Sequence, residues 1–351
     1  MKRYVNFVLR ISFPVMLFFM LITCRSAYAQ IGGASCAVPT VCDTEFGCNT
    51  GCTINGANDT LGIYGRADAV FWSLGGSKRA LILRDMGSFD QAIFSANDFA
   101  TTRGTPRIML GLELTPYFSV EGQYNGFGSW NSSRSLPGNS DLRLPGALGA
   151  GSHDYLNADQ MDIRAETEFH SAELNFVRKV KRSNFALLGG FRYINFNENI
   201  DLNSTIVIAA PNYTSDYLVD AKNKLYGGQV GLKWERSLSN RFGLQFTGKA
   251  GLFGNSASQR TWIGDDGNAT EVRNVSMKKN KTAFAGELNL GGYYKITEGL
   301  SLVGGYNLMW VGDTARAADQ FDFTHTTESS RFVATDTLFM HGANVGLDWN
   351  F

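Results

Sequence analysis

The stretch Phe339–Phe351, FMHGANVGLDWNF, alternates between two kinds of side chain. Its odd-numbered positions are mostly apolar and end on Trp349 and Phe351, whereas its even-numbered positions are mostly polar or small. Successive side chains of a β-strand point to opposite faces, so this period of two predicts a strand with one apolar and one polar face. In a soluble sandwich the apolar face would meet a core. In a membrane barrel it would meet lipid, and the polar face would line the lumen.

Segments with the same alternation recur along the chain; in one of them, Phe242, Leu244 and Phe246 alternate with Gly243 and Gln245. Each has roughly ten residues or more, which is enough to cross a bilayer when the strand is tilted. Together they predict ten strands, at residues 61–73, 104–115, 117–127, 164–178, 184–198, 222–236, 240–254, 282–296, 299–312 and 337–351.

The connections between these strands alternate strictly between long and short. The long ones are 74–103, 128–163, 199–221, 255–281 and 313–336, and the short ones fall at 115–117, 180–184, 237–240 and 297–299. Bacterial outer-membrane barrels have even strand numbers, short periplasmic turns and long outer loops, whereas a sandwich has no reason to gather its long loops at one end. The predicted fold class is therefore all-β: a transmembrane antiparallel up-and-down barrel of about ten strands.

The N-terminus predicts export. Residues 1–29 combine two basic residues, an apolar stretch and the cleavage pattern Ala27-Tyr28-Ala29, as in a secretory signal peptide. The alternatives are an uncleaved membrane anchor and a lipoprotein signal at Cys24. Cleavage would remove four of the 32 basic residues and none of the 32 acidic ones, leaving 28 against 32 and a net charge of −4. No nucleic-acid partner is expected from such a balance.

Residues 30–58 form a Cys-rich segment ahead of the predicted barrel, residues 59–351. Its four cysteines are Cys36, Cys42, Cys48 and Cys52. An exported chain meets an oxidising compartment, so two disulfides are expected, in any of three pairings. The alternative is a Cys₄ metal site, but the spacings lack the paired C-x-x-C arrangement typical of such sites. We expect no metal and no cofactor.

The polar strand faces carry charges of both signs, which must be paired or hydrated inside a barrel. A ring of ten strands is narrow, so a salt-bridged network is favoured, with a small conduction path as the alternative. The residues predicted to line the lumen are Arg66, Asp68, Arg107, Glu113, Glu121, Glu173, Arg192, Lys233, Glu235, Lys249, Glu287 and Asp348.

Aromatic residues stand beside the short turns on the apolar faces, as in the aromatic girdle at a membrane interface. The alternative explanation is the general preference of aromatic residues for strands. The predicted periplasmic girdle comprises Phe118, Phe176, Phe185, Trp234, Phe242, Tyr294, Trp349 and Phe351.

Several strands resemble a known family, the putative beta-barrel porin family 7 found in planctomycete bacteria. The similar stretches are Gly65–Trp72 (GRADAVFW), Gly190–Glu198 (GFRYINFNE), Leu225–Leu232 (LYGGQVGL), Lys249–Asn255 (KAGLFGN) and Phe284–Tyr293 (FAGELNLGGY). They are strand signatures, so the resemblance implies an outer-membrane barrel with an unassigned substrate and carries no catalytic motif.

The expected function is that of an outer-membrane porin or structural barrel with a narrow charged lumen and no enzymatic activity. One alternative is a surface adhesin that binds through its long outer loops. A barrel hydrolase is less favoured, because it would need a histidine working with an acid at the rim. His153 and His325 lie in predicted loops near Asp154 and Asp322, whereas the other two histidines, His170 and His341, fall on predicted lipid-facing positions.

The expected partners are outer-membrane lipid and the barrel-assembly machinery. We expect the machinery to bind the final amphipathic strand with its C-terminal aromatic residue. Deletion of Trp349–Phe351 should therefore impair assembly before it changes any transport. Heat-modifiable migration of outer-membrane fractions measures this, and normal insertion of the truncated chain would count against it.

Overall fold

The computed structural model describes residues 62–75, 83–85, 91–94, 102–126, 129–152, 154–207, 212–327 and 332–350. All of them belong to the unit Asp59–Phe351. The predicted signal peptide and Cys-rich segment, with the four candidate disulfide cysteines, lie outside the described residues, as do His153 and Phe351. Within the described ranges, no helix has both the length and the apolar character needed to span a membrane.

Thirteen strands occur in the described part of the chain, together with a short helix at Gly146–Gly151 and a 3-10 turn at Ala317–Gln320. Every strand pair is antiparallel. The strands are β1 Gly62–Leu74, β2 Leu83–Asp85, β3 Gln91–Phe94, β4 Thr102–Thr115, β5 Phe118–Asn125, β6 Ser129–Arg143, β7 Ala158–Lys179, β8 Phe185–Ile206, β9 Tyr213–Ser237, β10 Phe242–Asp265, β11 Thr270–Lys295, β12 Leu300–Thr314 and β13 Asp336–Asn350.

The sheet closes on itself between the first and last strands. Arg66 of β1 lies opposite Met109 of β4 on one side and opposite Asp348 of β13 on the other. From β4 the pairing continues through β5, β7, β8, β9, β10, β11 and β12 back to β13. The predicted all-β, up-and-down barrel of about ten strands is confirmed.

One position in the wall is shared by two strands. β5 pairs with the lower part of β7, from Phe118↔Arg178 to Asn125↔Ser171, and β6 pairs with the upper part of β7, starting at Ser129↔Glu168. Eleven strands thus occupy ten positions around the ring, and β2 and β3 extend the sheet beyond the upper edge at β6.

The wall is much higher on one side than on the other. β7 to β11 have 22 to 26 residues each, whereas β12, β13, β1 and β4 have 13 to 15. At about 2.5 Å of height per residue in a tilted strand, the two sides rise roughly 55–65 Å and 35 Å, against an apolar band of about 25 Å. Much of β7–β11 therefore stands outside the membrane.

The predicted outer connections 128–163, 199–221 and 255–281 consequently contain much strand, including all of β6. The inward face of β8 remains mostly apolar there: Phe196, Ile200 and Leu202 are buried, with Glu198 buried among them. Its outward face changes to Asn197, Asn199 and other polar residues, which face water above the membrane. The sequence prediction relied on strands whose outward face is apolar, and at that height the outward face is no longer apolar.

The outer edge of the lipid-facing belt is visible on β8 and β9. Apolar and aromatic residues face outward on β8 up to Tyr193 and are followed by Asn195. The same change occurs on β9 between Tyr226 and Lys224, directly opposite. The rings of Tyr193 and Tyr226 lie 4.7 Å apart between centroids, as expected for aromatic residues at a membrane interface.

A charge placed on this belt should destabilise the barrel according to its depth. Leu290 of β11 faces outward near the middle of the belt and is 62% exposed. We expect Leu290→Arg to lower the free energy of unfolding by about 2–4 kcal/mol, because a cation is poorly solvated in hydrocarbon. Denaturant unfolding in lipid vesicles measures it. The control is Asn274→Arg, on the exposed outer part of the same strand, and equal losses in the two variants would contradict the assigned belt.

Candidate functional site: the barrel lumen

The middle of the lumen is crossed by buried ion pairs between strands that are not neighbours. Arg192 of β8 meets Glu287 of β11 at 2.6 Å, and Lys249 of β10 meets Glu173 of β7 at 2.8 Å. All four side chains are at least nine-tenths buried. Each pair joins strands three of the ten positions apart around the ring, so the pairs connect non-neighbouring parts of the wall through the lumen.

Glu173 is the most highly connected carboxylate of this layer. Besides the Lys249 ammonium, it accepts hydrogen bonds from the amides of Gln123 at 2.6 Å, Asn175 at 3.0 Å and Gln229 at 2.5 Å. A buried ion is tolerated when its remaining lone pairs are satisfied in this way. The charge pattern of the sequence does not identify these amide residues.

A second group of polar residues fills the side of the lumen next to β1. Arg107 donates to Asp68 at 2.8 Å and to Asn307 at 2.9 Å. Asn307 in turn accepts from Asn289 at 2.7 Å and donates to Asn344 at 2.9 Å. These five residues are all buried, so the polar layer extends across the lumen.

The periplasmic mouth carries ion pairs that are more exposed. Lys233 contacts Glu121 at 2.5 Å with 29% of its side chain accessible, and Arg66 contacts Asp348 at 2.7 Å. Arg66 also donates to Gln245 across the lumen at 2.6 Å.

The remaining two predicted lumen residues lie at the rim of this mouth. Glu113 pairs there with Lys179, whose side chain is 52% exposed, and Glu235 is exposed. The structure thus brings ten of the twelve predicted residues into the lumen, all in ion pairs, and leaves two at its edge.

An apolar layer lies above the charged layer. It is built from buried, inward-facing side chains of the wall, among which Trp72 and Phe196 are completely buried. The cluster comprises Val70, Trp72, Leu74, Trp130, Phe169, Ile194, Phe196, Leu225, Phe253, Ala283, Ala285, Met309, Val311, Leu338 and Met340. Side chains of this size occupy the interior of a ten-strand ring.

The connection between β12 and β13 folds back into the outer part of the barrel. We call residues 315–323 the plug. Arg316 of the plug meets Glu198 of β8 at 2.8 Å, and Ala315 donates its N–H to the Asn223 side chain of β9 at 2.8 Å. Although burial lowers it, the pKa of the Arg316 guanidinium lies above its ordinary value because Glu198 favours the charged form. The sequence pattern predicts an outer loop at Arg316, whereas the structure buries this residue inside the barrel.

The tall wall also holds the plug and the residues that follow it. The side chain of Arg273, fully buried on β11, donates to the carbonyl oxygens of Asp322, Thr324 and Thr326 at 2.7 to 3.0 Å. Tyr217 of β9 donates to the Asp322 carbonyl at 3.1 Å, and burial raises the pKa of this phenol. Buried apolar residues of the plug and of residues 142–155 pack in the same concavity.

The acids considered for catalysis are engaged in structural contacts. The Asp154 carboxylate accepts from the Ser215 hydroxyl at 2.5 Å and from the Gly267 N–H at 2.7 Å, which fixes the β10–β11 turn. Asp322 accepts from the backbone and hydroxyl of Thr324. His325 lines an outer cavity of about 310 Å³ together with Gly151, Asp265, Thr270, Glu271, Val272, Thr326 and Thr327.

The other two described histidines form part of an outer aromatic ring. His170 lies 2.9 Å from the Tyr124 hydroxyl, and His341 lies 2.6 Å from the Tyr306 hydroxyl. Tyr306 is 48% exposed on the lipid-facing side. The sequence pattern places His170 and His341 on the lipid-facing side but predicts an aromatic girdle at the periplasmic end only.

The predicted periplasmic girdle residues lie beside the short turns. Phe118 and Phe176 stack with centroids 6.2 Å apart, and Phe242 and Tyr294 lie 4.9 Å apart. Phe185 faces Trp234 across the β8–β9 ladder, and Trp349 faces Gly65. Phe351 is outside the described residues. Among the residues that are described, no group of three His, Cys, Asp or Glu side chains could hold a metal ion.

Breaking one cross-lumen ion pair should cost far more stability than breaking one at the rim. Glu173→Gln leaves the Lys249 ammonium buried without its carboxylate, so we expect the free energy of unfolding to fall by about 3–5 kcal/mol. The exposed pair provides the control, and Glu113→Gln should cost about 0–1 kcal/mol. In the double variant Glu173→Gln/Lys249→Met, which also removes the buried ammonium, part of the lost free energy of unfolding should be recovered. Similar losses for the two single variants would show that the mid-lumen is hydrated.

Comparison with known proteins agrees with this architecture. Residues 152–351 match the model of the family described as Putative beta barrel porin-7 (BBP7). No curated protein matches the chain.

Similar solved structures include three outer-membrane β-barrels. The outer membrane protease OmpT from Escherichia coli has 10% sequence identity and a TM-score of 0.48, over 83% of this chain and 97% of that one. The translocator domain of the autotransporter NalP from Neisseria meningitidis has 10% identity and a TM-score of 0.35, over 83% and 88%. The P. putida toluene transporter TodX has 10% identity and a TM-score of 0.34, over 84% and 91%. The family match spans more than half of the chain, including β7 to β13, and confirms the resemblance found in the sequence: this protein is an outer-membrane β-barrel of the Putative beta barrel porin-7 family.

Proposed function

We propose that this protein is a porin-like barrel that is closed at rest, and that solute passes only when the packed layers in its lumen separate. The observation that carries the proposal is the succession of three buried layers: the cross-lumen ion pairs, the apolar layer and the plug. A ring of ten strands leaves little space beyond its own side chains, which supports the same conclusion.

Phe196 lies where two of these layers meet. Its ring belongs to the apolar layer, and the Arg316 guanidinium of the plug lies over it at 5.6 Å. Movement of the plug would therefore remove a cation from this ring and uncover the apolar layer. The plug and the apolar layer are expected to open together.

We also propose that the barrel acts without catalysis. Asp154 and Asp322 already satisfy backbone and hydroxyl donors, and His170 and His341 stand against tyrosines at the membrane surface. These contacts support structural roles for the two acids near the loop histidines and for the two lipid-facing histidines. We further propose that the chain is exported and that its signal peptide is cleaved after Ala29.

A surface-binding role is the second candidate, and the height of the wall favours it. β7 to β11 carry a folded outer part well beyond the lipid belt, which offers a rigid surface to a ligand. Transport and surface binding differ in their dependence on the lumen, because binding would survive changes in the apolar layer.

Planar-bilayer recording tests the closed state. We expect the wild-type protein to show no steady conductance steps, and Phe196→Ala to show transient steps because truncation of this ring opens the apolar layer. The control is Phe191→Ala, which removes a lipid-facing ring, 71% exposed, from the same strand and should remain silent.

Heat-modifiable migration of each variant shows that it is folded. Steady wild-type steps would contradict a barrel closed at rest. If Phe196→Ala were as silent as the control, the apolar layer would not be the seal.

A further inference from the structure

Three lysines face outward immediately above the lipid-facing belt. Lys222 and Lys224 lie on β9, and Lys278 lies on β11. Ser258 of β10 is opposite both Lys222 and Lys278, so these residues form one row across three strands. Lys224, Ser256 and Asn280 form the row below it. We call these two rows the lysine rows; the three lysines are exposed.

Among the described residues, the two lysine rows themselves contain no acid. The next outward residue above Lys222 on β9 is Asp220, which lies opposite Arg260 of β10 and accepts a hydrogen bond from Asn199 of β8 at 2.7 Å. Neighbouring strands lie about 4.8 Å apart, so the Lys222 and Lys278 backbones are roughly 10 Å from each other. Cations gathered so closely on an exposed face favour an anion supplied from outside the chain.

The height of the lysine rows identifies the source of that anion. Tyr226 lies directly below Lys224 on the outward face, and its ring packs against Tyr193 at the edge of the belt. Aromatic rings of this kind lie at the level of lipid headgroups, and long lysine side chains reach the same level. Below the rows, a Cβ at Gly254 would meet only a backbone oxygen at 4.0 Å, so the wall is open to an acyl chain.

We propose that the lysine rows bind the phosphate-bearing headgroup of an outer-leaflet glycolipid of the lipid A type. The ammonium groups contact the phosphates, the Ser256, Ser258 and Asn280 side chains donate hydrogen bonds, and the acyl chains lie along β9 and β10. This inference rests on the outer-membrane placement of the barrel and is independent of whether the lumen opens.

Binding of diphosphoryl lipid A to the full-length protein in zwitterionic detergent tests the proposal. We expect Lys222→Gln/Lys224→Gln/Lys278→Gln to weaken binding by about tenfold to a hundredfold, because each surface lysine contributes attraction to anionic lipid. The control, Arg134→Gln/Arg164→Gln/Lys181→Gln, removes three exposed positive charges elsewhere and should leave the affinity within about twofold. Heat-modifiable migration establishes that both variants are folded.

Two further probes identify the ligand chemistry. Dephosphorylated lipid A should bind the wild-type protein as weakly as diphosphoryl lipid A binds the lysine variant. Inorganic phosphate at millimolar concentration should not displace diphosphoryl lipid A, because a free ion gains nothing from the lipid-facing wall below the rows. Unchanged affinity in the lysine variant, an equal loss in the control, or displacement by inorganic phosphate would each overturn the proposal.

Discussion

The hydrogen-bonded ladder between β1 and β13 is the constraint on which the rest of the structure depends. A strand in lipid has no water for its backbone donors and acceptors, so the sheet can have no open edge there. The register Tyr64↔Asn350 through Leu74↔Met340 satisfies this requirement. Above the membrane, water can satisfy the backbone donors and acceptors of an edge strand. β6 and the upper part of β11 can therefore form open edges of the wall there, and the edge at β11 is rich in lysine.

Because the ring has only ten strand positions, its interior is narrow, and this limits which side chains can occupy it. The polar faces of the strands converge on a narrow space, where an unpaired charge would be strongly destabilising. Cross-lumen pairs such as Arg192–Glu287 neutralise these charges, and amides such as Gln229 complete the hydrogen bonds of the carboxylates. Higher up, the same inward faces become apolar, and the plug completes the filling. The dense filling of the lumen is therefore a product of ring size as much as of any single contact.

Sequence alone could predict the ring and most of the charged residues that line it, but not how those residues pair or what else fills the lumen. The strand count followed from a local period of two, which needs no knowledge of the partner strand. Arg192 and Glu287 are 95 residues apart, and their pairing depends on the stagger of several strands, which no local pattern contains. The outer wall was missed because Asn197 and Asn199 face water there, so the lipid-facing signal had ended. Arg316 was assigned to a loop because nothing local distinguishes a buried arginine from a solvated one.

The position of the plug between β12 and β13 has a consequence for biogenesis. β13 is the strand that closes the ring against β1, and the plug lies in the connection from β12 to β13, directly after β12. The β12–β13 hairpin, which completes the wall, thus contains the plug. Residues 315–323 are connected at one end to β12 and at the other end to β13. Closing the circumference and obstructing the passage are coupled by chain connectivity. Assembly can then proceed to completion without an unobstructed hole in the membrane, which protects the permeability barrier of the cell while the protein is being made.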